Sequence, residues 1–332
     1  MITTVTQGNK LAFIGQKGPF YEVYYLKAAS SDGAWSFWCR YTLLIPKDSF
    51  APKEASLWGI FSAQNQKPIA IKKTFSLGEL DILHTDSFIR LKDNFLSLDA
   101  CQGAMADSQN TLSWDLQFED PTLSANLYPH DFLYRCKFPK SKFVEPRWST
   151  FISGTIKINH HKISLEHHEA HQAHIWGTQY ATGWAWAHCN QFDAEGLVFE
   201  GLTAQIPLGG FLSPPMSLFH FYYNGEYFPA NKMRQWFGAN SKYDLNGWHF
   251  EIFCRDYRFV GTIRRNRESV VGVKYFGPNG ENRFCHNSSR CQMELSVYRA
   301  SKKLELIRKF ESKSCAFETV DTKPHEGVNF LI

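Results

Sequence analysis

Short stretches in which apolar and polar residues alternate at every second position dominate this chain. The clearest is residues 111–119, TLSWDLQFE, where Leu112, Trp114, Leu116 and Phe118 alternate with other residues. Successive side chains of a β-strand point to opposite faces, so this period of two predicts a strand with one buried face. The 3.6-residue period of amphipathic helices is scarce. The sequence therefore predicts an all-β protein.

Turn residues separate the predicted strands and indicate antiparallel pairing. Asn224-Gly225 and Asn246-Gly247 each stand between two strand-like stretches, and Asn-Gly is the strongest short signal for a hairpin. Many short antiparallel strands favour sheets that close on themselves, because closure removes exposed edges. We therefore expect two antiparallel β-barrels, each wide enough to hold one small apolar ligand.

A proline-rich segment divides the chain. Pro121, Pro129, Pro139 and Pro146 interrupt the strand pattern, so we predict that residues 121–147 connect an N-terminal barrel (1–120) to a C-terminal barrel (148–332). Among the later segments, residues 171–183 are predicted as a loop. Strands are expected at 151–158, 162–165, 184–190, 197–206 and 232–237.

Composition excludes several classes of protein. The net charge is only +4 and no long run of basic residues occurs, which argues against nucleic-acid binding. The first residues lack the pattern of a secretory signal, and no apolar stretch is long enough to span a membrane. Eight scattered cysteines without a C-x-x-C motif favour free thiols in a reducing compartment. We therefore expect a cytoplasmic protein.

The stretch from residue 171 to 206 concentrates the unusual residues. Trp184, Trp186, His188 and Asn190 are spaced by two, so on a strand they share one face. Two large aromatic residues followed by two polar ones are typical of a pocket wall that is mostly apolar. Trp38 and Trp114 are further candidates for pocket lining. Beside them, Arg40 and Asp115 are expected to form an internal ion pair, because buried charges need partners.

Two blocks in this stretch resemble a known family. Residues 184–192, WAWAHCNQF, followed by Gly201-Leu202-Thr203-Ala204, are similar to the W-x-W-x-x-C-N-x-F block and L-T-A ending of tocopherol cyclases. Residues 174–177, HIWG, resemble the H-x-W-G block of carotenoid 1,2-hydratases. The chain thus resembles the tocopherol cyclase, carotenoid 1,2-hydratase and AttH group. This resemblance implies two lipocalin-like antiparallel β-barrels and a long apolar ligand, an isoprenoid or another lipid.

The same resemblance implies a chemistry. Cyclases and hydratases of this group add a proton to a carbon–carbon double bond and let a hydroxyl group or water capture the cation. Such a step needs a protonated acid in an apolar pocket and aromatic faces beside the cation. Glu200, in the apolar strand LVFEGL, is the candidate proton donor, and His174 is the candidate that orients it or manages water. Trp176, Trp184 and Trp186 would supply the aromatic wall.

Other interpretations remain open at this stage. Glu200 could point into solvent, as most charged residues on strands do, and the tryptophans could be ordinary core. The protein would then be a non-catalytic lipid carrier or a stress-related lipid-binding protein.

A third alternative is a metal enzyme in which three of six clustered histidines meet at a Zn, Ni or Fe site, although their spacing matches no established motif. We predict neither a metal nor a cofactor, and expect a hydrophobic small molecule as partner, with transient membrane contact allowed. The six are His160, His161, His167, His168, His171 and His174.

Overall fold

The structure, a computed structural model, describes residues 4–81, 87–300 and 304–332. Most of these residues lie in two large antiparallel sheets. The first contains β1 (Phe20–Ala29), β2 (Trp35–Ile45), β3 (Glu54–Ala63), β4 (Ile69–Ser76), β5 (Ser87–Leu91), β6 (Asn94–Ser97), β7 (Ala100–Ala106), β8 (Thr111–Phe118), β9 (Leu123–Asn126), β10 (Ser141–Ile158) and β11 (His161–Gly177).

The second sheet and the small elements complete the described chain. The sheet contains β12 (Gly183–Cys189), β13 (Leu197–Gln205), β16 (Met216–Tyr223), β17 (Glu226–Ala230), β18 (Asn240–Tyr243), β19 (Gly247–Cys254), β20 (Tyr257–Arg264), β21 (Val271–Phe276), β22 (Asn282–Ala300) and β23 (Leu304–Asp321). A separate hairpin pairs β14 (Pro207–Leu208) with β15 (Phe211–Leu212). The helical elements are α1 (Val5–Gly8), α2 (Phe132–Arg135) and three 3-10 turns (Leu77–Glu79, Met233–Gln235 and Arg267–Ser269). None of the helices in the described ranges is long and apolar enough to cross a membrane.

The strand order confirms the predicted all-β class with two antiparallel sheets. The first sheet runs β4-β3-β2-β1-β11-β10-β8-β7-β6-β5, with β9 added on β10. The second runs β17-β16-β13-β12-β23-β22-β20-β19-β18, with β21 added on β22. Within the described part of the chain, the outermost strands of each sheet are not hydrogen-bonded to each other. Each sheet therefore remains open where closed barrels were expected.

The change from one sheet to the other lies later than the proline-rich segment. The long strands β10 and β11 pair from Ser141↔Gly177 to Ile158↔His161 and belong to the first sheet. The second sheet begins only with β12, so residues 178–182 make the crossing. The predicted loop over 171–183 is likewise wrong for 171–177. That segment is a central strand because its backbone pairs with β1 on one side and β10 on the other.

One face of each sheet is packed solidly with its own side chains. In the first sheet this cluster includes Phe37, Trp114 and Leu116, and in the second it includes Phe199 and Phe250. Trp114 is 2% exposed and its Nε1 donates to the Tyr41 hydroxyl at 3.2 Å. It is therefore core of the first sheet, which does not fit the predicted contact with a ligand.

The opposite faces of the two sheets meet in a third buried cluster. Along β1, Tyr21, Val23 and Tyr25 point into this cluster, whereas the intervening residues point into the first sheet's own core. Along β12, Trp186 points into it while Ala185 and Ala187 point the other way. All ten residues of β1 are buried as a result. We call this third cluster the joint between the sheets.

Two local predictions differ from the structure. Residues 232–237 form no strand, since a 3-10 turn at Met233–Gln235 leads to Trp236, whose Nε1 donates to the Asn231 carbonyl at 2.7 Å. Arg40 and Asp115 form no ion pair. Arg40 is buried at the joint, with its guanidinium 4.3 Å from the centre of the Tyr275 ring, while Asp115 is exposed on the outer face of β8.

A buried histidine helps to hold the joint together. His220 on β16 donates from Nε2 to the Leu127 carbonyl at 3.2 Å, and its Nδ1 accepts from the Tyr227 hydroxyl. Leu127 directly follows β9 of the first sheet, so this contact ties the two sheets. Burial lowers the pKa of His220 to about 4. The folded protein therefore favours the neutral ring.

We expect acidification to weaken the fold through this residue. The stabilisation that comes from neutral His220 is fully present above the unfolded-state pKa of about 6.5 and is lost as the pH falls towards 4. The resulting loss in unfolding free energy is at most about 3 kcal/mol. His220→Gln should flatten the fall in unfolding free energy between pH 7 and 4, as measured by urea denaturation. The exposed His249→Gln is the control, and equal slopes in wild type and His220→Gln would contradict the assignment.

Candidate functional site: a cavity between the sheets

A cavity of about 200 Å³ lies in the joint and is partly open to solvent. Strands β1 and β2 of the first sheet form one wall, and β12, β13, β21 and β23 of the second form the other. The loops at 138–141 and 179–181 border it. We had expected the pocket inside a barrel. It lies between the sheets because the other face of each sheet is filled by its own core.

The cavity wall is mainly aromatic. Tyr25 and Trp186 meet edge to face with ring centroids 5.7 Å apart, and Trp184 is parallel to Tyr275 at 6.5 Å. All four residues line the cavity. Such faces suit an apolar ligand, and their electron density also attracts positive charge.

Two buried or half-buried charged side chains interrupt this aromatic lining, in addition to the exposed Lys140 at its border. Arg40 donates from Nε to Thr42 Oγ1 at 3.0 Å and from Nη2 to the Tyr180 hydroxyl at 3.4 Å. Glu318 on β23 accepts from Trp184 Nε1 at 2.8 Å and from Cys285 Sγ at 3.4 Å. Both residues line the cavity. An apolar ligand with one polar end would find a cation and a carboxyl group here.

Sequence reasoning missed Glu318, although a signal existed. Glu318 interrupts the apolar stretch CAFETV (315–320), much as Glu200 interrupts LVFEGL. Its placement depends on the pairing of β12 with β23, which sets Glu318 opposite Trp186. These two residues lie far apart in sequence, and no local pattern reports that pairing.

The structure brings only some of the predicted site residues to the cavity. Trp38, Trp184 and Trp186 line it. Trp176 does not, because its ring stacks on His174 with centroids 4.7 Å apart and packs against the core of the first sheet. His174, His188, Asn190 and Glu200 also lie outside the lining, each with a definite set of partners.

His174 belongs to a buried anchor for the N-terminal segment. Its Nδ1 donates to the Gly8 carbonyl at 2.7 Å, and its Nε2 lies 2.9 Å from Glu22 Oε1. Glu22 also accepts from the backbone amides of Ala12 and Phe13, at 2.6 and 2.9 Å. The contacts of His174 therefore stabilise the chain segment before β1 and do not reach the cavity.

His188 and Asn190 tie the first strand of the second sheet to the first sheet. His188 Nε2 donates to the Trp148 carbonyl at 2.8 Å, and its ring stacks on His171 with centroids 3.9 Å apart. Asn190 Nδ2 donates to the Ala170 carbonyl at 3.1 Å. The predicted common face of residues 184–190 thus exists, but its polar end holds the joint and does not touch the cavity.

Glu200 is buried directly behind the aromatic wall. Trp186 Nε1 donates to Glu200 Oε1 at 2.7 Å, so the indole that lines the cavity separates this carboxyl group from it. The side chain is 0% exposed, which rules out the solvated alternative. Burial raises the pKa of Glu200 well above its usual range, and the nearby Lys27 ammonium opposes that shift.

The fold and this cavity define a class of protein: two antiparallel sheets joined face to face around an aromatic pocket. The model of the tocopherol cyclase-like family matches residues 140–320, more than half of the chain. The protein therefore belongs to the tocopherol cyclase-like family, as the blocks at 174–177 and 184–192 predicted. No curated protein matches the sequence.

One solved structure supports the fold. A crystal structure of a putative AttH from Nitrosomonas europaea is similar with a TM-score of 0.53 and 12% identity, covering 97% of this chain and 99% of that one. At this identity the similarity shows the fold alone. A DUF3598-family protein of unknown function from Nostoc punctiforme is 6% identical, covers 93% of this chain and 97% of its own, and has a TM-score of 0.13, too low to support an argument.

The anchor at Glu22 can be tested separately from the cavity. Glu22→Ala leaves two buried amides and His174 without their acceptor, so we expect a loss of about 3–5 kcal/mol in unfolding free energy. Urea denaturation measures the loss, and limited proteolysis should show earlier cleavage near the N-terminus. The exposed Glu226→Ala is the control. Wild-type stability in Glu22→Ala would show that the contacts around Glu22 are dispensable.

Proposed function

We propose that this protein binds an apolar small molecule with one polar end, an isoprenoid or a similar lipid, in the cavity between its sheets. The observation that carries the proposal is the aromatic wall, which is interrupted by the charged side chains of Arg40 and Glu318. A pocket that is mostly apolar with few placed polar groups is typical of small-molecule sites. Membership of the tocopherol cyclase-like family supports the same ligand class.

The size of the cavity suggests how such a ligand lies. An engineered apolar cavity of about 150 Å³ holds benzene, so a cavity of about 200 Å³ holds a ring or one end of a chain. Of the residues that border the cavity, Phe138 is exposed and Pro207 is half-buried, so we place the exit for the remainder of a long molecule beside them. The reacting end would then be enclosed by aromatic rings.

The reaction we propose is proton-initiated cyclisation or hydration of a carbon–carbon double bond. A carboxylic acid gives its proton to one alkene carbon, and the π electrons form the new carbon–hydrogen bond. The other carbon becomes cationic and is stabilised by the indole and phenol faces. The ligand's hydroxyl oxygen, or water, bonds to that carbon and returns its proton to the carboxylate. The net result is isomerisation or hydration.

The proposed proton donor is Glu318, in place of the predicted Glu200. A general acid must reach the atom that it protonates, directly or through one water. Glu318 lines the cavity, whereas Glu200 lies behind the Trp186 indole. Arg40, also in the lining, is placed to hold the polar end of the ligand. The lipid carrier, our alternative, would use the same cavity without turnover.

Removing the donor should separate binding from turnover. We expect Glu318→Gln to lower turnover at least about 100-fold, within the usual contribution of a general acid, and to change ligand affinity only a few-fold. Binding is measured by quenching of tryptophan fluorescence, since Trp184 and Trp186 line the cavity. Turnover is followed by mass spectrometry and chromatography over isoprenoids with and without a phenolic hydroxyl group.

Two further variants make this experiment decisive. Glu311→Gln, an exposed position on the same strand, controls for the substitution itself. Glu200→Gln tests the donor predicted from sequence: turnover lost in Glu200→Gln but kept in Glu318→Gln would overturn our assignment. Binding without turnover of any isoprenoid by the wild type would support the carrier, and absence of binding would refute the proposed cavity ligand.

We further propose that the ligand is loaded from an anionic membrane surface. Beside the open side of the cavity, Phe138 is 41% exposed, and Phe211 on the hairpin after Pro207 is 67% exposed. Lys137 and Lys140, next to Phe138, are also exposed. Exposed aromatic residues flanked by basic ones favour contact with anionic lipid headgroups.

Liposome co-sedimentation tests this contact. We expect binding to vesicles that contain phosphatidylserine, weaker binding in high salt, and at least a several-fold loss in Phe138→Ser/Phe211→Ser. The exposed Phe253→Ser, elsewhere on the second sheet, is the matched control. Equal sedimentation of the wild type, the double variant and Phe253→Ser would contradict loading through the open side of the cavity.

A further inference from the structure

Three polar residues behind the aromatic wall form a cluster that the proposed reaction does not use. Glu145 on β10, His171 on β11 and Glu200 on β13 are each 0% exposed. Each offers one carboxylate oxygen or ring nitrogen, and these three atoms lie within 4.8 Å of one another. The first two residues come from the first sheet and the third from the second, so the cluster spans the joint.

Three of the four carboxyl oxygens of this cluster lack a hydrogen-bond partner in the described part of the chain. Neither oxygen of Glu145, nor Oε2 of Glu200, has a hydrogen-bond partner among the described residues. A buried carboxylate without a partner is costly, and buried acids in native proteins are paired, protonated or bound to metal. Three such oxygens close together therefore point to a bound ligand of positive charge.

His171 has the hydrogen bonding of a metal ligand. Its Nδ1 lies 3.2 Å from the Trp148 carbonyl, which can only accept, so Nδ1 carries the hydrogen. With the hydrogen on Nδ1, Nε2 of the neutral ring carries a lone pair, which accepts from the Tyr25 hydroxyl at 3.2 Å and would turn to a bound ion. Metal-bound histidines generally donate their other N–H to a carbonyl or carboxylate in this way.

We propose that Glu145, His171 and Glu200 bind one divalent transition-metal ion. Metal–ligand bonds of about 2.0–2.2 Å place the donor atoms of one ion about 3–4 Å apart, so small rotations of the three side chains would complete the site. Two carboxylates and one imidazole, without sulfur, suit Zn²⁺, Mn²⁺ or Fe²⁺. The two carboxylates balance the charge of the ion. Binding through Nε2 would displace the Tyr25 hydroxyl, which lies 3.2 Å from that nitrogen.

The charged and titratable neighbours set how tightly such an ion binds. Lys27 on β1 is 4% exposed and close enough to act electrostatically on both Glu200 and His171. Its ammonium group would repel a cation. The His188 ring stacks on the ring of His171 with centroids 3.9 Å apart.

This ion would fix two residues of the cavity wall. Trp186 donates to Glu200, and Tyr25 contacts His171, while both aromatic rings line the cavity. Their positions would therefore depend on the metal site. The ion itself lies outside the lining and takes no part in the proton transfer proposed above. Metal binding can thus be measured whether or not the cavity reaction exists.

Zinc titration of chelator-treated protein tests the site. We expect one equivalent of Zn²⁺ to bind by isothermal titration calorimetry, with at least a 100-fold loss of affinity in Glu145→Gln/Glu200→Gln. Lys27→Met should bind more tightly than wild type, since it removes the opposing charge. His325→Asn is the matched control, because it disrupts the other group of possible ligands, His286, Asp321 and His325, and should leave the stoichiometry unchanged.

A spectroscopic measurement on the wild type tests the site even if the double variant fails to fold. Co²⁺ added to chelator-treated wild type should give visible absorption bands that Zn²⁺ abolishes. Absence of those bands, or zinc affinity equal in wild type and the double variant, would overturn the proposal and leave a shared proton as the neutralising charge. Loss of the zinc equivalent in His325→Asn would also overturn it by placing the ion at the surface.

Discussion

The structure depends on burying both faces of its central strands. A sheet with one packed face and one solvated face could stand alone, as many antiparallel sheets do. Here β1, β2 and β12 carry large aromatic residues on the second face as well, and these residues are removed from water only when the two sheets meet. The joint is therefore a condition of the fold, and the cavity is the part of the joint that the aromatic rings do not fill.

The joint also contains the groups that are most costly to bury. Lys27, Glu145 and Glu200 are nearly inaccessible to solvent. Burying each of these ionisable groups costs free energy that an exposed position would avoid. A core built for stability alone would replace them by apolar residues of similar volume. Their concentration beside a ligand-sized cavity supports the ligand site that we propose at the joint.

The sequence predicted the class of fold and the aromatic strand of the site, because both depend on local alternation. Trp184 and Trp186 lie where their spacing placed them, on one face of a strand. Alternation assigns residues to two faces but does not say which face meets which partner. Glu145 sits beside a proline in an irregular segment of β10, where the register shifts, and Glu318 reaches the cavity through a pairing of distant strands. No local signal marked Glu145, and the charged interruption of an apolar stretch that marked Glu318 did not report the pairing that brings it to the cavity.

One indole connects the two halves of the functional proposal. Trp186 presents its ring to the cavity and its N–H to Glu200, so the apolar ligand site and the buried polar cluster share a wall one side chain thick. Indole is suited to that place, since its face attracts a cation while its single N–H satisfies a carboxyl group. Phenylalanine would keep the wall but leave Glu200 Oε1, like Oε2, without a partner. The requirement for a tryptophan at this position thus comes from both sides of the wall.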